Sequence, residues 1–170
     1  SHYPVTKGSS ELRQAIAAWA NRRFRLDKAA LDPERHVLPC AGTREALFSI
    51  AQAVIDRRAH SGQPVVIMPN PFYQIYEGAA LLAGARPYFL NTLADNGYRM
   101  DFARVPAAVW QQVQLVYICS PGNPTGTVLR HADLAGILEL AEKHDFLIAA
   151  DECYSEIYFD EANPPPGLLQ

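Results

Sequence analysis

Short apolar runs alternate with segments of helical periodicity along this chain, an arrangement typical of a parallel sheet with helical crossovers. The apolar runs lie at residues 36–38, 65–68, 86–90, 115–119 and 146–150. Apolar residues recur at a helical spacing over residues 12–24, 43–55, 75–83 and 134–141, and a shorter helix containing Pro106 is expected at 102–110. The pattern therefore predicts an α/β fold with a mostly parallel sheet.

The clearest βαβ unit spans residues 115–154. Its loop, Ser120–Gly126, has the sequence Ser-Pro-Gly-Asn-Pro-Thr-Gly, and its second apolar run ends on Asp-Glu-Cys-Tyr at 151–154. Ligands of such sheets bind outside the carboxyl ends of the strands, where Asn123, Asp151 and Tyr154 fall. A carboxylate can keep a heterocyclic nitrogen protonated, while an amide and a phenol can hydrogen-bond an adjacent ring oxygen. Such groups can make bound pyridoxal phosphate an electron sink.

Each of these signals also has an ordinary structural explanation. An acid after a strand is often a helix cap, and an aromatic residue after Pro71 is more often part of the core. Gly42 opens a helix whose free N–H groups and dipole suit a phosphate, but most helix starts bind nothing. Four strand ends are nevertheless expected to bring a glycine turn, an aromatic ring, an amide, and an acid with a phenol to one edge. The four features together indicate a ligand-binding site more specifically than any one of them does alone.

The segments Ser120–Gly126 and Asp151–Tyr154 resemble those of the class I and II aminotransferases, which are fold type I pyridoxal-phosphate enzymes, and the resemblance runs over nearly all 170 residues. It implies the large domain of that family, a three-layer α/β structure with helices on both faces of a mostly parallel sheet. It also implies a set of cofactor contacts. Gly42, Thr43 and Arg44 would form the turn that binds the phosphate, and Tyr73 rather than Phe72 would stack on the cofactor ring. Asp151 would pair with the pyridinium nitrogen. Asn123 and Tyr154 would hydrogen-bond the ring O3′.

Tyr3 belongs to the same resemblance. From chemistry alone it is an exposed loop residue. Together with Gly8, Leu12 and Arg13, however, it matches a family segment whose tyrosine reaches the cofactor phosphate of the neighbouring subunit. The resemblance therefore implies a homodimer.

The catalytic lysine of the family has no counterpart here. That lysine forms a Schiff base with the cofactor and moves the proton, and none of Lys7, Lys28 and Lys143 follows Asp151 on a later strand. We therefore expect residues 1–170 to be part of a cofactor-binding large domain. The N-terminal arm, the lysine segment and the small domain would lie outside it, and the piece alone would be inactive.

The substrate is suggested only by resemblance. Three segments, 70–85, 119–126 and 151–159, look most like the succinyldiaminopimelate aminotransferases of lysine biosynthesis. The expected reaction moves an amino group from an amino acid to a 2-oxo acid, with succinyldiaminopimelate and 2-oxoglutarate as the pair. The alternatives are another fold type I enzyme, a lyase or decarboxylase, or a non-catalytic ligand-binding module on the same fold.

Composition limits the other possibilities. The chain has a net charge of −3 and no run of basic residues, so it lacks the positively charged segment that usually binds nucleic acid or an anionic membrane. No apolar stretch is long enough for a membrane span and no secretory leader begins the chain, so a cytoplasmic protein is expected. The nucleotide-binding and hydrolase motifs Gly-x-Gly, Gly-Lys-Ser/Thr and Gly-x-Ser-x-Gly do not occur. The five histidines lack ligand spacing, so no metal is assigned, and the three cysteines are expected to be buried free thiols.

Overall fold

The computed structural model describes residue 3 and residues 5–27, 30–59 and 62–170. The chain divides into two compact units, Ser1–Ala41 with Gly167–Gln170, and Gly42–Pro166. Within the described residues, no helix is both long and apolar enough to cross a membrane.

The first unit is built on helix α1, Ser10–Arg23. Ser9 caps it by accepting a hydrogen bond from the amide of Leu12 at 3.2 Å. The buried Arg13 guanidinium donates to the carbonyl oxygens of Lys7 and Gly8, at 3.1 and 2.6 Å, and to the Glu34 carboxylate at 2.6 Å. One arginine thereby ties the loop before α1 to the turn after it.

The strand predicted at residues 36–38 does not form, and this prediction was wrong. The backbone amide of His36 donates to the carbonyl oxygen of Asp32 at 2.8 Å, and the His36 Nδ1 accepts the Asp32 amide at 3.0 Å. These two bonds close a turn, and Val37 and Leu38, which follow it, do not form a strand. The glycine turn at Gly42 therefore does not follow a strand.

The second unit contains a four-stranded parallel sheet in the order β2-β1-β3-β4. The strands are β1, Val65–Asn70; β2, Arg86–Asn91; β3, Val113–Cys119; and β4, Leu147–Asp151. The first five residues of β1 and the first six of β3 are buried, as expected for central strands covered on both faces. The predicted parallel α/β fold is confirmed.

Four α-helices accompany the sheet: α2, Thr43–Val54; α3, Gln74–Leu82; α4, Ala107–Trp110; and α5, His131–His144. Short 3₁₀ helices lie at Ala94–Asn96 and Phe102–Arg104. The single helix expected over 102–110 is divided because Pro106 holds the preceding Val105 in an extended conformation. The helical spacing over 134–141 also predicts that Leu138 faces inward, but Leu138 is 44% exposed, since Leu134 and Ile137 form the buried stripe of α5.

The two crossovers leave the centre of the sheet in opposite directions. The chain passes from β1 through α3 to β2 on one side, and from β3 through α5 to β4 on the other. Because such crossovers are almost always right-handed, α3 and α5 cover opposite faces, as expected for three layers. The direction reverses between β1 and β3, and ligands of open α/β sheets bind outside the carboxyl ends of strands at such a point.

Candidate functional site

Asp151 is the last residue of β4, and its carboxylate is buried, with the residue only 6% exposed. The Tyr76 hydroxyl donates a hydrogen bond to its Oδ2 at 2.7 Å. The other oxygen, Oδ1, has a long contact of 3.5 Å from the Cys153 amide. A buried carboxylate needs partners for both oxygens, so Oδ1 retains capacity for a ligand donor.

The tyrosine that holds Asp151 belongs to an aromatic group inside the core. The Tyr76 ring stacks on the Tyr117 ring with centroids 4.6 Å apart and planes at 10°, and it meets the Tyr73 ring edge-on at 6.0 Å. Burial, together with Cys119 and Asp151, raises the pKa of Tyr76 far above its ordinary value. The phenol therefore stays protonated and acts as a donor.

Tyr73 is the aromatic residue available at the end of β1. It lies at the N-cap of α3, is half-buried, and touches Tyr76. Phe72 instead packs against Phe89 of β2, with ring centroids 5.0 Å apart. This difference favours Tyr73 over Phe72 as a platform for a ligand ring.

Asn123 and Tyr154 line one open groove of about 910 Å³. Asn123 is exposed in the loop after β3, and Tyr154 follows β4 with 37% of its surface exposed. Cys153 contributes most to raising the pKa of Tyr154, and the Asp151 carboxylate adds to the shift. The amide and phenol predicted to act together do share a surface, and Asp151 lies close enough to affect that phenol.

None of the three cysteines forms a disulfide bond, and the prediction that they are buried is wrong for two of them. Cys40 is exposed because it lies in a loop and not beside a strand, and Cys153 is exposed because it follows the end of β4. Cys119 is half-buried, pairs in register with Asp151, and donates to the Pro121 carbonyl oxygen at 3.3 Å. Desolvation and the Asp151 carboxylate raise the pKa of Cys153 to about 11, so this thiol stays protonated at neutral pH.

The predicted phosphate turn begins helix α2. Gly42 is its N-cap with φ +133°, a conformation that side chains rarely adopt, while Thr43 and Arg44 are exposed in the first turn. A Cβ built on Gly42 would lie 3.0 Å from Oε2 of Glu45, so that carboxylate reaches back over the turn. The Glu45 side chain is exposed to solvent, so it can rotate away from the turn.

The structure describes Tyr3 and two of the three lysines. Tyr3 belongs to the first unit, where its side chain is 99% exposed, as does Lys7. Lys143 lies in the last turn of α5, before β4 begins at Leu147, whereas Asp151 ends that strand, about 13 Å beyond Leu147 at the usual rise per residue. Lys28 falls outside the described residues.

Comparisons with known proteins identify the family of this chain. Residues 1–168 match the family model described as aminotransferase class I and II. The chain belongs to the class I and II aminotransferase family. Members of this family depend on pyridoxal phosphate.

Relatives of known sequence or structure extend the match. The chain is 34% identical over 166 residues to an LL-diaminopimelate aminotransferase of Desulforudis audaxviator, covering 98% of the chain and 40% of that protein. A solved aminotransferase of Neisseria meningitidis has a TM-score of 0.91 with 45% identity, covering 99% of this chain and 41% of that one. Aminotransferase AspB of Helicobacter pylori has a TM-score of 0.85 with 36% identity, over 99% and 42%. The chain thus spans about two fifths of the length of these family members.

The donor set fits an aminotransferase cofactor. A buried carboxylate with one oxygen short of a partner suits a protonated ring nitrogen, and the groove beside it offers an amide and a phenol. Tyr76 is the residue that sequence reasoning missed, because its helical spacing assigned it correctly to the core. The signal available was chemical, since a buried tyrosine hydroxyl normally has a hydrogen-bond partner.

Proposed function

We propose that the protein containing this chain transfers an amino group between an amino acid and a 2-oxo acid with pyridoxal phosphate. The observation that carries the proposal is the Asp151 carboxylate. It is buried at a strand end, its Oδ2 accepts a hydrogen bond from the Tyr76 hydroxyl, and its Oδ1 has a long contact of 3.5 Å with the Cys153 amide. Removing such a carboxylate from water is costly, which favours a cationic ligand group as its partner.

The other residues take roles set by their chemistry. Asp151 would hold the ring nitrogen in its protonated form, and Tyr73 would cover one ring face. Asn123 and Tyr154 would donate to the ring O3′, and the exposed start of α2, at Gly42, Thr43 and Arg44, would receive the phosphate. When bound, the cofactor supplies an electron sink for the bonds at the substrate Cα.

The lysine that carries the cofactor is proposed to come from another part of the protein. Lys143 lies in the last turn of α5, before β4 begins, whereas Asp151 lies at the far end of β4. Family members are about two and a half times as long as this chain, which leaves room for that lysine, a small domain and an N-terminal arm. We propose that residues 1–170 alone do not catalyse transamination.

For the substrate, we propose a diaminopimelate-type amino donor in lysine biosynthesis, with succinyldiaminopimelate and 2-oxoglutarate as the specific pair. Several relatives at 29–34% identity are named LL-diaminopimelate aminotransferase, which supports the broader class. The succinylated form rests on the resemblance of three segments of the sequence. A lyase or decarboxylase of the same fold would release product from a single substrate, without a 2-oxo acid acceptor.

The deciding experiment uses the protein expressed from its complete gene. Formation of a 2-oxo acid from succinyldiaminopimelate or LL-diaminopimelate is measured with and without 2-oxoglutarate as acceptor. Asp151→Ala is expected to lower turnover at least about a hundredfold, because an electrostatic group at the reacting system is removed. Glu139→Ala, an exposed change on α5, is the control. Near-normal turnover of Asp151→Ala would refute the assignment, and product formation without acceptor would favour a lyase.

We further propose a cytoplasmic homodimer in which Tyr3 reaches the phosphate bound by the neighbouring subunit. The full exposure of Tyr3 supports this, because such a side chain is available to another subunit. Sedimentation of the complete protein should give a dimer, and Tyr3→Phe should weaken cofactor binding with the dimer intact. A fully active monomer would contradict the shared site.

A further inference from the structure

Tyr76 forms a hydrogen bond with one of the two carboxylate oxygens of Asp151 and not with the other. Its hydroxyl lies 2.7 Å from Oδ2 in a buried contact, and the residue itself is 1% exposed. The Cys153 amide approaches Oδ1 at 3.5 Å, the outer limit of a hydrogen bond. The carboxylate is thus held by one strong bond that leaves a defined oxygen for an incoming donor.

The phenol that makes this bond is itself fixed. The Tyr76 ring is stacked on Tyr117 at 4.6 Å and bordered by the Tyr73 ring at 6.0 Å. Its amide donates to the Tyr73 carbonyl oxygen at 2.9 Å in the first turn of α3. Moving the hydroxyl would disturb packing on both sides of the ring, so its position is set by the core.

We propose that Tyr76 is a positioning residue that orients the Asp151 carboxylate so that Oδ1 meets the ring nitrogen of the cofactor. The inference rests on the proposed function and deepens it. Tyr76 contacts both the acid assigned to the ring nitrogen and Tyr73, the platform assigned to the ring face. One buried side chain therefore sets the relative position of two cofactor contacts that come from different strand ends.

The test compares two hydroxyl deletions on the same aromatic stack. Tyr76→Phe keeps the ring and removes the bond to Asp151. Tyr117→Phe is the matched control, because its buried hydroxyl donates to the Leu47 carbonyl oxygen at 2.6 Å and does not touch Asp151. Both variants are made in the protein expressed from its complete gene, freed of cofactor, and titrated with pyridoxal phosphate.

Tyr76→Phe is expected to weaken pyridoxal phosphate binding about tenfold, the lower end of what a hydrogen bond to a charged group contributes. It should also change the circular dichroism of the bound cofactor in the visible region, which reports the orientation of the ring in the site. Tyr117→Phe should leave both within about twofold of the wild type, although it lowers the melting temperature.

A double-mutant cycle separates positioning from general weakening of the core. In an Asp151→Ala background, Tyr76→Phe should change the affinity less than about twofold, because the group it positions is already gone. The same loss in both backgrounds, or an equal loss from Tyr117→Phe, would overturn the inference. Unchanged affinity and dichroism in Tyr76→Phe would do so as well, with the proposed function intact. A wild-type protein that binds no pyridoxal phosphate would overturn both.

Discussion

The imidazole of His144 stacks on the indole of Trp110, with ring centroids 4.7 Å apart and planes at 9°. Phe146 stacks on the same indole at 5.6 Å. Burial against these rings, with a smaller contribution from Lys143, lowers the pKa of His144 below its ordinary value of 6.5. The end of α5 is therefore held by a neutral histidine.

Stability should fall on acidification because of this histidine. Between its lowered folded pKa and 6.5 the unfolded chain binds more protons than the folded one, so the free energy of unfolding decreases as pH drops through and below 6.5. Thermal melting from pH 8 to pH 5 measures the decrease. His144→Gln should reduce the dependence of the melting temperature on pH between pH 8 and pH 5, whereas His131→Gln should retain that dependence. An unchanged slope in His144→Gln would contradict this prediction.

A second prediction concerns Asp133 at the start of α5. Its carboxylate accepts the Arg130 amide at 2.8 Å and both arms of the Arg130 guanidinium at 2.8 and 2.9 Å, and the guanidinium bonds, which contribute most, lower its pKa to about 2. Asp133→Asn should lower the free energy of unfolding by about 1 kcal/mol, as loss of a helix cap does. The effect should be present at pH 7 and fade as pH falls from 4 towards 2, where the wild type also becomes protonated. Glu139→Gln on the same helix is the control.

Two glycines, one inside α3 and one just after it, should respond in opposite ways to substitution by alanine. Gly84 has φ +83°, and a Cβ there would collide with the guanidinium of Arg57, which donates to the Ala83 carbonyl oxygen at 3.0 Å. Gly84→Ala should cost about 1–3 kcal/mol of unfolding free energy. A Cβ on Gly78, inside the helix, meets nothing within 4 Å, so Gly78→Ala should add about 0.5–1 kcal/mol. Chemical denaturation compares them, and equal effects would refute the distinction.

Glu45 should oppose phosphate binding, because its carboxylate reaches over Gly42 at the start of α2. Glu45→Gln should tighten pyridoxal phosphate binding about two- to fivefold by removing a like charge. The same change should cost roughly 0.5 kcal/mol of helix stability, since an acid in the first turn favours the helix dipole. Titration of the cofactor-free protein at low and high salt tests this, with Glu142→Gln as the charge-matched control. Weaker binding in Glu45→Gln would count against a phosphate at this turn.

The strands could be predicted where burial on both faces leaves a continuous apolar run, as in Val65–Met68 and Leu115–Cys119. The failed strand at residues 36–38 shows the limit of this signal. The short run His36-Val37-Leu38 is compatible with a strand, but two hydrogen bonds between His36 and Asp32 close a turn instead. Whether these residues form a strand or a turn depends on side-chain geometry, which periodicity does not describe.

The site could be predicted where residue chemistry and strand ends coincide, as at Asp151 and Asn123. Tyr76 could not be found in this way, since its partner lies 75 residues further along the chain and only the folded sheet brings them together. Periodicity assigns such a residue to the core and is right to do so. Periodicity does not indicate which partner the Tyr76 hydroxyl reaches.

The strand order also has a consequence for the sequence of events during folding. β1 precedes its neighbours in the chain yet lies between β2 and β3. The β1–α3–β2 unit is complete at Asn91 and closes a short loop, whereas β3 joins β1 only after residue 119, at a greater cost in loop entropy. On the ribosome, the turn bearing Tyr73 and Tyr76 can therefore be structured first. Asp151 arrives last, at a tyrosine hydroxyl that is already in place.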